Sequence, residues 1–563
     1  MQGSGDSYAA RKLAGELLKY ASSVPVIGAS GQVPASTPAV IYVGTLTSNP
    51  ALAETASALG WKSEIEKLPP EGYLIRTGAR GARNVIVLAG GDRTGAIYAA
   101  ADLKNFYLMR SGGNLSVGAL HYTEIPRMKY RWFWNWDNRT NWDLLDHDDV
   151  YSPKLEATES VRPYRKRPEA YLKNMKLCVD YMSEHKLNGL IIWGFLRDNH
   201  GGVKASQELC RYANERGVKI IPGVGPDRHY GGFYHEGNHE FNTETRADKY
   251  PLLRSMDKQG KYEPRTLCLQ KAENREWLRR GFRWLYENFP IGGVNFEFSE
   301  HAACYTPDCV EARKNQPGQE SDFAKDLART APFVMNEAHS IDPKTWISYV
   351  TYGGFTAQMQ ANLPLHIRVA PDYAVCQWTL TNMLTDLVPT GASRSRAAGW
   401  AEGLGPSPWP SGLRPPGKHS IGYTHWNAFY SHNQKGFFVD AYRQASRKAH
   451  DAGFEGLDTY GEESADLPNV ELSYLAFSEF SFNPEMSEED FLARRVAPLY
   501  GGGEAATLAL EIARRVGPVR TGQTAAGLEQ IVELAYRGRR ISAESAKARW
   551  DRLIHYVRDI LPE

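Results

Sequence analysis

From residue 130 onward, short apolar runs recur along the chain and alternate with longer stretches of helical period. The first four runs are 130–137 (YRWFWNWD), 188–195 (NGLIIWGF), 218–224 (VKIIPGV) and 292–300 (GGVNFEFSE). Between them, 170–186, 205–216 and 274–289 place apolar residues near i, i+3 and i+4, the spacing of an amphipathic helix. Runs at 345–352, 365–370, 420–425 and 453–460 bring the strands to eight. Strands alternating with helices predict a parallel sheet, and eight repeats predict a closed (β/α)8 barrel over 127–468. The segment 387–418 is rich in Pro, Gly and Trp and reads as a loop; loops this long at a barrel mouth usually carry function.

The flanks follow a different rhythm. Residues 8–21 read as an amphipathic helix, 39–43, 72–77 and 84–89 as strands, and 96–108 as a second helix, which predicts a small N-terminal α/β domain over 1–126. The turn Gly90-Gly91-Asp92-Arg93-Thr94-Gly95 invites comparison with phosphate-binding loops. It lacks the Lys-Ser/Thr of a P-loop and the full GxGxxG spacing, so a tight strand-to-helix turn is expected. Beyond the barrel, 469–482, 488–500 and the Arg-rich 505–560 have helical period and predict a helical C-terminal region over 469–563.

At 563 residues the chain exceeds one ordinary core, in keeping with this three-part reading. Its 66 Lys and Arg balance 65 Asp and Glu, with no long basic run, which argues against a general nucleic-acid or membrane-surface role. No apolar stretch reaches the length of a membrane span. Tryptophan (14) and tyrosine (30) are plentiful and many fall near predicted strand ends, where an aromatic face could meet a sugar ring. The six cysteines are scattered and form no disulfide framework. In Cys304-Tyr-Thr-Pro-Asp-Cys309 the spacing suggests a metal knuckle. Two thiols leave a structural zinc site incomplete unless His301 or another residue joins, so no metal is assigned, and a local disulfide is expected if the chain is exported.

The fourth run carries the sharpest chemistry. Asn295, Glu297 and Ser299 alternate with Val294, Phe296 and Phe298, so Glu297 lies near the end of the strand and Glu300 just past it. Active sites of such barrels are built at the C-terminal ends of the strands.

Several segments together resemble glycoside hydrolase family 67, the α-glucuronidases, and the related families 20, 84 and 115. GYLIRT…NVIVLAGGDRTGAIYAAADL resembles their small N-terminal domain, and PRMKYRWFWNWDN the entry into their barrel. FEFSE (296–300) resembles the segment in which a Ser-Glu supplies the catalytic acid. LSYLAFSEFSFNPEMSEEDFLARRVAPLYGG (472–502) is similar to the helical region after the barrel. Families 20 and 84 carry an adjacent acidic pair at the end of strand four, whereas Glu297 and Glu300 stand three apart. The Gly-Gln-Pro-Gly that follows the acid in family 67 is absent after Glu300.

The resemblance implies a glycosidase acting on an oligo- or polysaccharide, with uronic-acid-containing chains among the candidates, and with Glu300 as the acid. Such hydrolysis needs two carboxyl groups flanking the bond. Glu297 is the alternative acid; the second carboxylate must come from another strand end, and by the family 67 analogy from beyond strand four, where Asp372 is the first choice and Asp458 or Glu462 the second. Asp137, Arg139, Asn199, His200, His229, Tyr352, Trp378, His425, Trp426 and Tyr460 fall at or just after predicted strand ends as substrate ligands. Trp378 and Trp426 are candidates for stacking, and Arg139 and Arg368 for holding a uronate carboxylate. The expected partner is a carbohydrate, with no nucleic acid, membrane or cofactor; the oligomeric state is open, a homodimer included. The start Met1-Gln-Gly-Ser-Gly does not read as a signal peptide. A trimmed leader would suit a periplasmic or extracellular site, with the cytoplasm left open. A substrate-assisted β-N-acetylhexosaminidase and a non-catalytic carbohydrate-binding barrel are the alternatives.

Overall fold

The computed structural model describes residues 4–20, 33–34, 36–111, 114–144, 164, 166–225, 232–298, 303–316, 321–350, 368–379, 419–424, 426, 436–517 and 525–559. Its centre is a closed barrel of eight parallel strands: β1 (Tyr130–Trp136), β2 (Gly189–Trp193), β3 (Lys219–Val224), β4 (Gly293–Glu297), β5 (Trp346–Val350), β6 (Val375–Thr379), β7 (His419–Tyr423) and β8 (Gly456–Tyr460). The ring closes where β8 pairs with β1, from Gly456 opposite Tyr130 to Tyr460 opposite Trp134. The strands read as nearly unbroken apolar runs because both faces are buried, one in the lumen and one under the helices.

Large and small residues alternate across the lumen. Tyr130, Trp132, Trp134 and Trp136 of β1 and Trp193 of β2 point inward with Ile221, Val350, Ile421 and Tyr423. Glycines on neighbouring strands make room for these rings. A Cβ on Gly189 would lie 2.4 Å from the Trp132 ring, and one on Gly223 2.3 Å from the Trp193 ring. The opposite face of each strand packs under helices such as Pro168–Glu184, Gly202–Glu215, Ala272–Asn288, Asp322–Ile341 and Val439–Ala452.

One strand differs from the sequence reading. Strand six is Val375–Thr379, paired with Ser348–Val350 of β5 and along its whole length with β7; of the predicted 365–370, residues 368–370 belong to a helical turn and 365–367 lie outside the described residues. Two short apolar runs stand close together here, and periodicity does not choose between them. Pairing chooses the second, whose Gln377 completes a hydrogen-bonded layer across the lumen.

Before the barrel, Ala39–Gly44, Arg83–Gly90, Tyr73–Arg80 and His121–Glu124 form a four-stranded sheet in that order, parallel in its first pair and antiparallel in the other two. Helices Ser4–Leu17 and Arg93–Asp102 cover one face and Pro50–Ala58 the other. The GGDRTG turn is the tight turn expected. Asp92 Oδ1 accepts the Gly95 and Glu71 N–H groups at 2.8 and 3.0 Å, and a Cβ on Gly90 or Gly95 would lie 2.2 Å from backbone atoms.

Buried charges tie this sheet to the barrel and to the C-terminal helices. Lys186, after the first barrel helix, sits 2.7 Å from Glu479 and 3.3 Å from Asp102. Arg495 contacts the same carboxylates at 2.7 and 3.2 Å. A third carboxylate, Glu124, stands 3.9 Å from Arg495 with burial pushing it up toward its neutral form, so the two cations are matched by opposite charge, the condition for keeping them out of water.

Candidate active site

β4 builds the site through its two-residue alternation. Val294, Phe296 and Phe298 turn outward under the helices, and Gly293, Asn295 and Glu297 turn inward. Asn295 anchors a polar layer across the lumen. Trp193 donates its indole N–H to Asn295 Oδ1 at 3.0 Å. The Asn295 amide donates to Ser348 Oγ at 2.8 Å and to Gln377 Oε1, Ser348 also donates to Gln377 at 2.6 Å, and Gln377 donates to Asp458 Oδ2. Strands β2, β4, β5, β6 and β8 are thereby locked in register. Glu297 lies two residues farther along β4, one layer nearer the C-terminal mouth, and is 2% exposed. Glu300, three residues on, lies outside the described residues, as do His229, Tyr352 and His425.

Aromatic rings and one guanidinium line the mouth. Tyr460 ends β8 and meets the Trp134 ring edge-on at 5.2 Å. Trp136 and Trp193 lie 5.9 Å apart, and the Arg139 guanidinium stands 5.7 Å over the Trp136 ring. Glu462, wholly buried after β8, accepts the Trp136 N–H at 3.0 Å, and its backbone carbonyl accepts the Asn141 N–H at 2.7 Å. It braces the loop that carries Arg139.

A second polar cluster follows β1 and β2. Asp137 faces Arg197 at 2.5 Å, both fully buried. Burial pushes the Asp137 carboxyl up to about 6, and the Arg197 charge pulls against that rise. Arg197 also reaches Glu236 at 3.5 Å, and the exposed Asn199 donates to Glu236 at 2.7 Å. His235, buried, stands edge-on to Trp193 at 6.4 Å.

Several expected ligands are placed elsewhere. Asp372 and Arg368 are exposed and precede β6, at the opposite end of the barrel from the mouth; the misplaced strand six had moved them to the wrong end. Trp378 turns outward from β6 and donates to Ser420 Oγ at 2.9 Å, while Trp426 is buried against Phe438 and Tyr442. Both tryptophans are wall residues, unavailable for stacking on a substrate. His200 is fully buried, stacked 3.7 Å from Tyr171, with Nε2 2.8 Å from the Gly194 carbonyl. Burial pushes its imidazole down to about 3, so it is a neutral core residue. Asp458 sits in the lumen layer, where burial raises its carboxyl well above the usual range against a smaller lowering by the Gln377 hydrogen bond.

Of the residues from the sequence reading, Glu297 and Tyr460 end their strands, Glu462 and Arg139 both contact Trp136, and Asp137 pairs with Arg197 just after β1 and β2. Sequence reasoning missed Trp136, Trp193, Arg197, His235 and Glu236. The two tryptophans each end a strand run, a signal already present in YRWFWNWD and NGLIIWGF; the other three follow strand ends in loops with no distinguishing spacing. A groove of about 850 Å³ lined by Tyr250, Leu252, Trp277 and Arg280 lies on the outer wall. Its lining comes from the segment after β3 and from the helix Ala272–Asn288, outside the lumen, whereas Glu297 faces inward from the end of β4. The structure has Cys304 and Cys309 as free thiols, like the other four cysteines, where a disulfide was expected for an exported chain.

No protein-family model matches the chain, and no curated protein matches it in sequence. Solved structures do share its fold. A GH138 enzyme targeting pectin rhamnogalacturonan II is 13% identical with a TM-score of 0.54, over 99% of this chain and 83% of its own. CpGH84B is 11% identical with a TM-score of 0.51, over 99% and 84%. An inactive mutant of a GH20 exo-β-N-acetylglucosaminidase from Vibrio harveyi is 11% identical with a TM-score of 0.50, over 90% and 73%. The architecture is thus one that glycoside hydrolases use. Identities this low speak to the fold alone.

Proposed function

We propose that this chain is a glycoside hydrolase whose reaction takes place at the C-terminal mouth of the barrel, on an oligo- or polysaccharide. The observation that carries the reading is Glu297. It is an inward-facing carboxylate at the last position of β4, and Trp136, Trp193 and Tyr460 also stand at the last positions of their strands, with the Arg139 guanidinium over Trp136. A sugar offers apolar ring faces and polar edges, and this lining has a counterpart for each. The resemblance of FEFSE to family 67 supports Glu300 as the general acid, with Glu297 as the alternative acid. Asp372 precedes β6 and Asp458 is hydrogen-bonded within the lumen layer, which supports Glu462 ahead of them as the second carboxylate. Arg139 is the cation that would take a uronate carboxylate.

The test is turnover on a panel of aryl glycosides and uronic-acid oligosaccharides, beside Glu300→Gln and Glu297→Gln. Because the GH138 enzyme of like fold targets pectin, pectin-derived oligosaccharides are the first to try. Loss of a general acid costs about 10²- to 10⁴-fold in rate, and that loss in Glu300→Gln with retained folding supports the assignment. Full activity in both variants refutes it. A wild type that binds sugars and turns over none points instead to the binding barrel.

A further inference from the structure

We propose that Cys268, Cys304 and Cys309 bind one thiophilic divalent cation of the zinc class through three thiolates, pinning the segment that follows β4. The three Sγ atoms lie within 4.8 Å of one another, and Cys268 and Cys309 are 3.5 Å apart. In a tetrahedral ion with Zn–S bonds of about 2.3 Å, sulfur atoms stand about 3.8 Å apart. A disulfide would need about 2.05 Å and would leave the third thiol over.

The thiols arrive from separate segments, and their backbones are fixed by other bonds. Cys268 follows the strand Tyr262–Leu267, donates its N–H to Leu253 O at 2.9 Å, and accepts at its carbonyl from Asn274 at 3.0 Å. Cys304 donates to Asp326 at 2.9 Å and accepts from Arg313 at 2.7 Å. Cys309 is carried by the helix Pro307–Lys314. Thr306 Oγ1 stands 3.3 and 3.4 Å from the sulfurs of Cys268 and Cys304, an outer-shell hydroxyl of the kind that orients thiolate ligands. Cys268 and Cys309 are buried while Cys304 is only partly so, which leaves a way in for the ion. Binding releases three thiol protons and leaves a fourth tetrahedral position for water. In the chain Cys304 follows Glu297 by seven residues, so the ion would fix the described stretch 303–316 that comes after β4.

The full chain, reduced and stripped with a chelator, is titrated anaerobically with Co²⁺. The expected result is saturation at one equivalent, with thiolate-to-cobalt charge transfer, tetrahedral d–d bands, and displacement by Zn²⁺. Cys304→Ser and Cys309→Ser should each weaken binding at least about a hundredfold, and Cys210→Ser should not. Absence of a one-equivalent complex in the wild type overturns the proposal whether or not the variants fold. So does a disulfide between any two of the three, found by alkylation and mass spectrometry of protein purified without reductant. The readout is metal binding, so failure here leaves the glycosidase reading untouched.

Discussion

Replacing Asp458 with Asn tests the polar layer that holds the barrel in register. Asp458 is fully buried in the lumen, and among the described residues Gln377 donates to its Oδ2 while Oδ1 has no hydrogen-bond partner. Burial raises its carboxyl, so the folded chain keeps this proton over a pH range in which the unfolded chain has lost it. The sign follows from proton counts. Above the ordinary aspartate value of about 3.9 the folded state binds more protons than the unfolded, so wild-type stability falls as pH rises, until the folded value is reached. The limiting slope for one proton is about 1.4 kcal/mol per pH unit. Asn is nearly isosteric, accepts the same Gln377 hydrogen bond and does not titrate. Urea unfolding of both proteins at pH 5, 6 and 7 removes the other titrating groups by difference. Tryptophan fluorescence reports the right transition, because Trp132, Trp134, Trp136 and Trp193 fill the same lumen. The stability of Asp458→Asn relative to wild type should improve with pH, approaching that slope. A difference that stays flat, or one that turns in favour of wild type as pH rises, refutes the buried protonated carboxyl.

Other perturbations probe the mouth. Arg197→Met leaves Asp137 buried without its cation and should cost about 3–5 kcal/mol, read by denaturant unfolding. Asp137 can escape by taking a proton, so the deficit should shrink from pH 8 to pH 5; a deficit independent of pH would mean that Arg197 acts through packing alone. Gly223→Ala drives a Cβ to 2.3 Å from the Trp193 ring, whose indole is tethered to Asn295. The expected cost is about 1–3 kcal/mol, with a shift in tryptophan emission, and an unchanged melting temperature and spectrum would show that Trp193 yields freely.

The barrel was legible because its signal is local. A strand buried on both faces must be apolar along its length, and seven of the eight runs, among them NGLIIWGF and GGVNFEFSE, coincide with β-strands of the structure. The inward direction of Glu297 was legible for the same reason, since alternation in VNFEF assigns its face before any fold is known. The eighth, strand six, failed where two short apolar runs lay within ten residues and only pairing with β5 and β7 could choose. That one shift carried Asp372 and Arg368 to the wrong end of the barrel. Trp378, Trp426 and His200 failed differently: the sequence places them near strand ends, but which way a ring turns depends on the helices packed outside. Contacts between distant segments were beyond the sequence altogether. Nothing in CYTPDC announces Cys268, and nothing in EHKLNG joins Lys186 to Glu479. The sequence by itself determined a parallel barrel, its flanking regions and the carboxylate at the end of β4, because these follow from periods of two and 3.6 residues. Only the tertiary structure decided which side chains share the mouth, which are wall, and which thiols meet, because those are matters of packing between segments far apart in the chain.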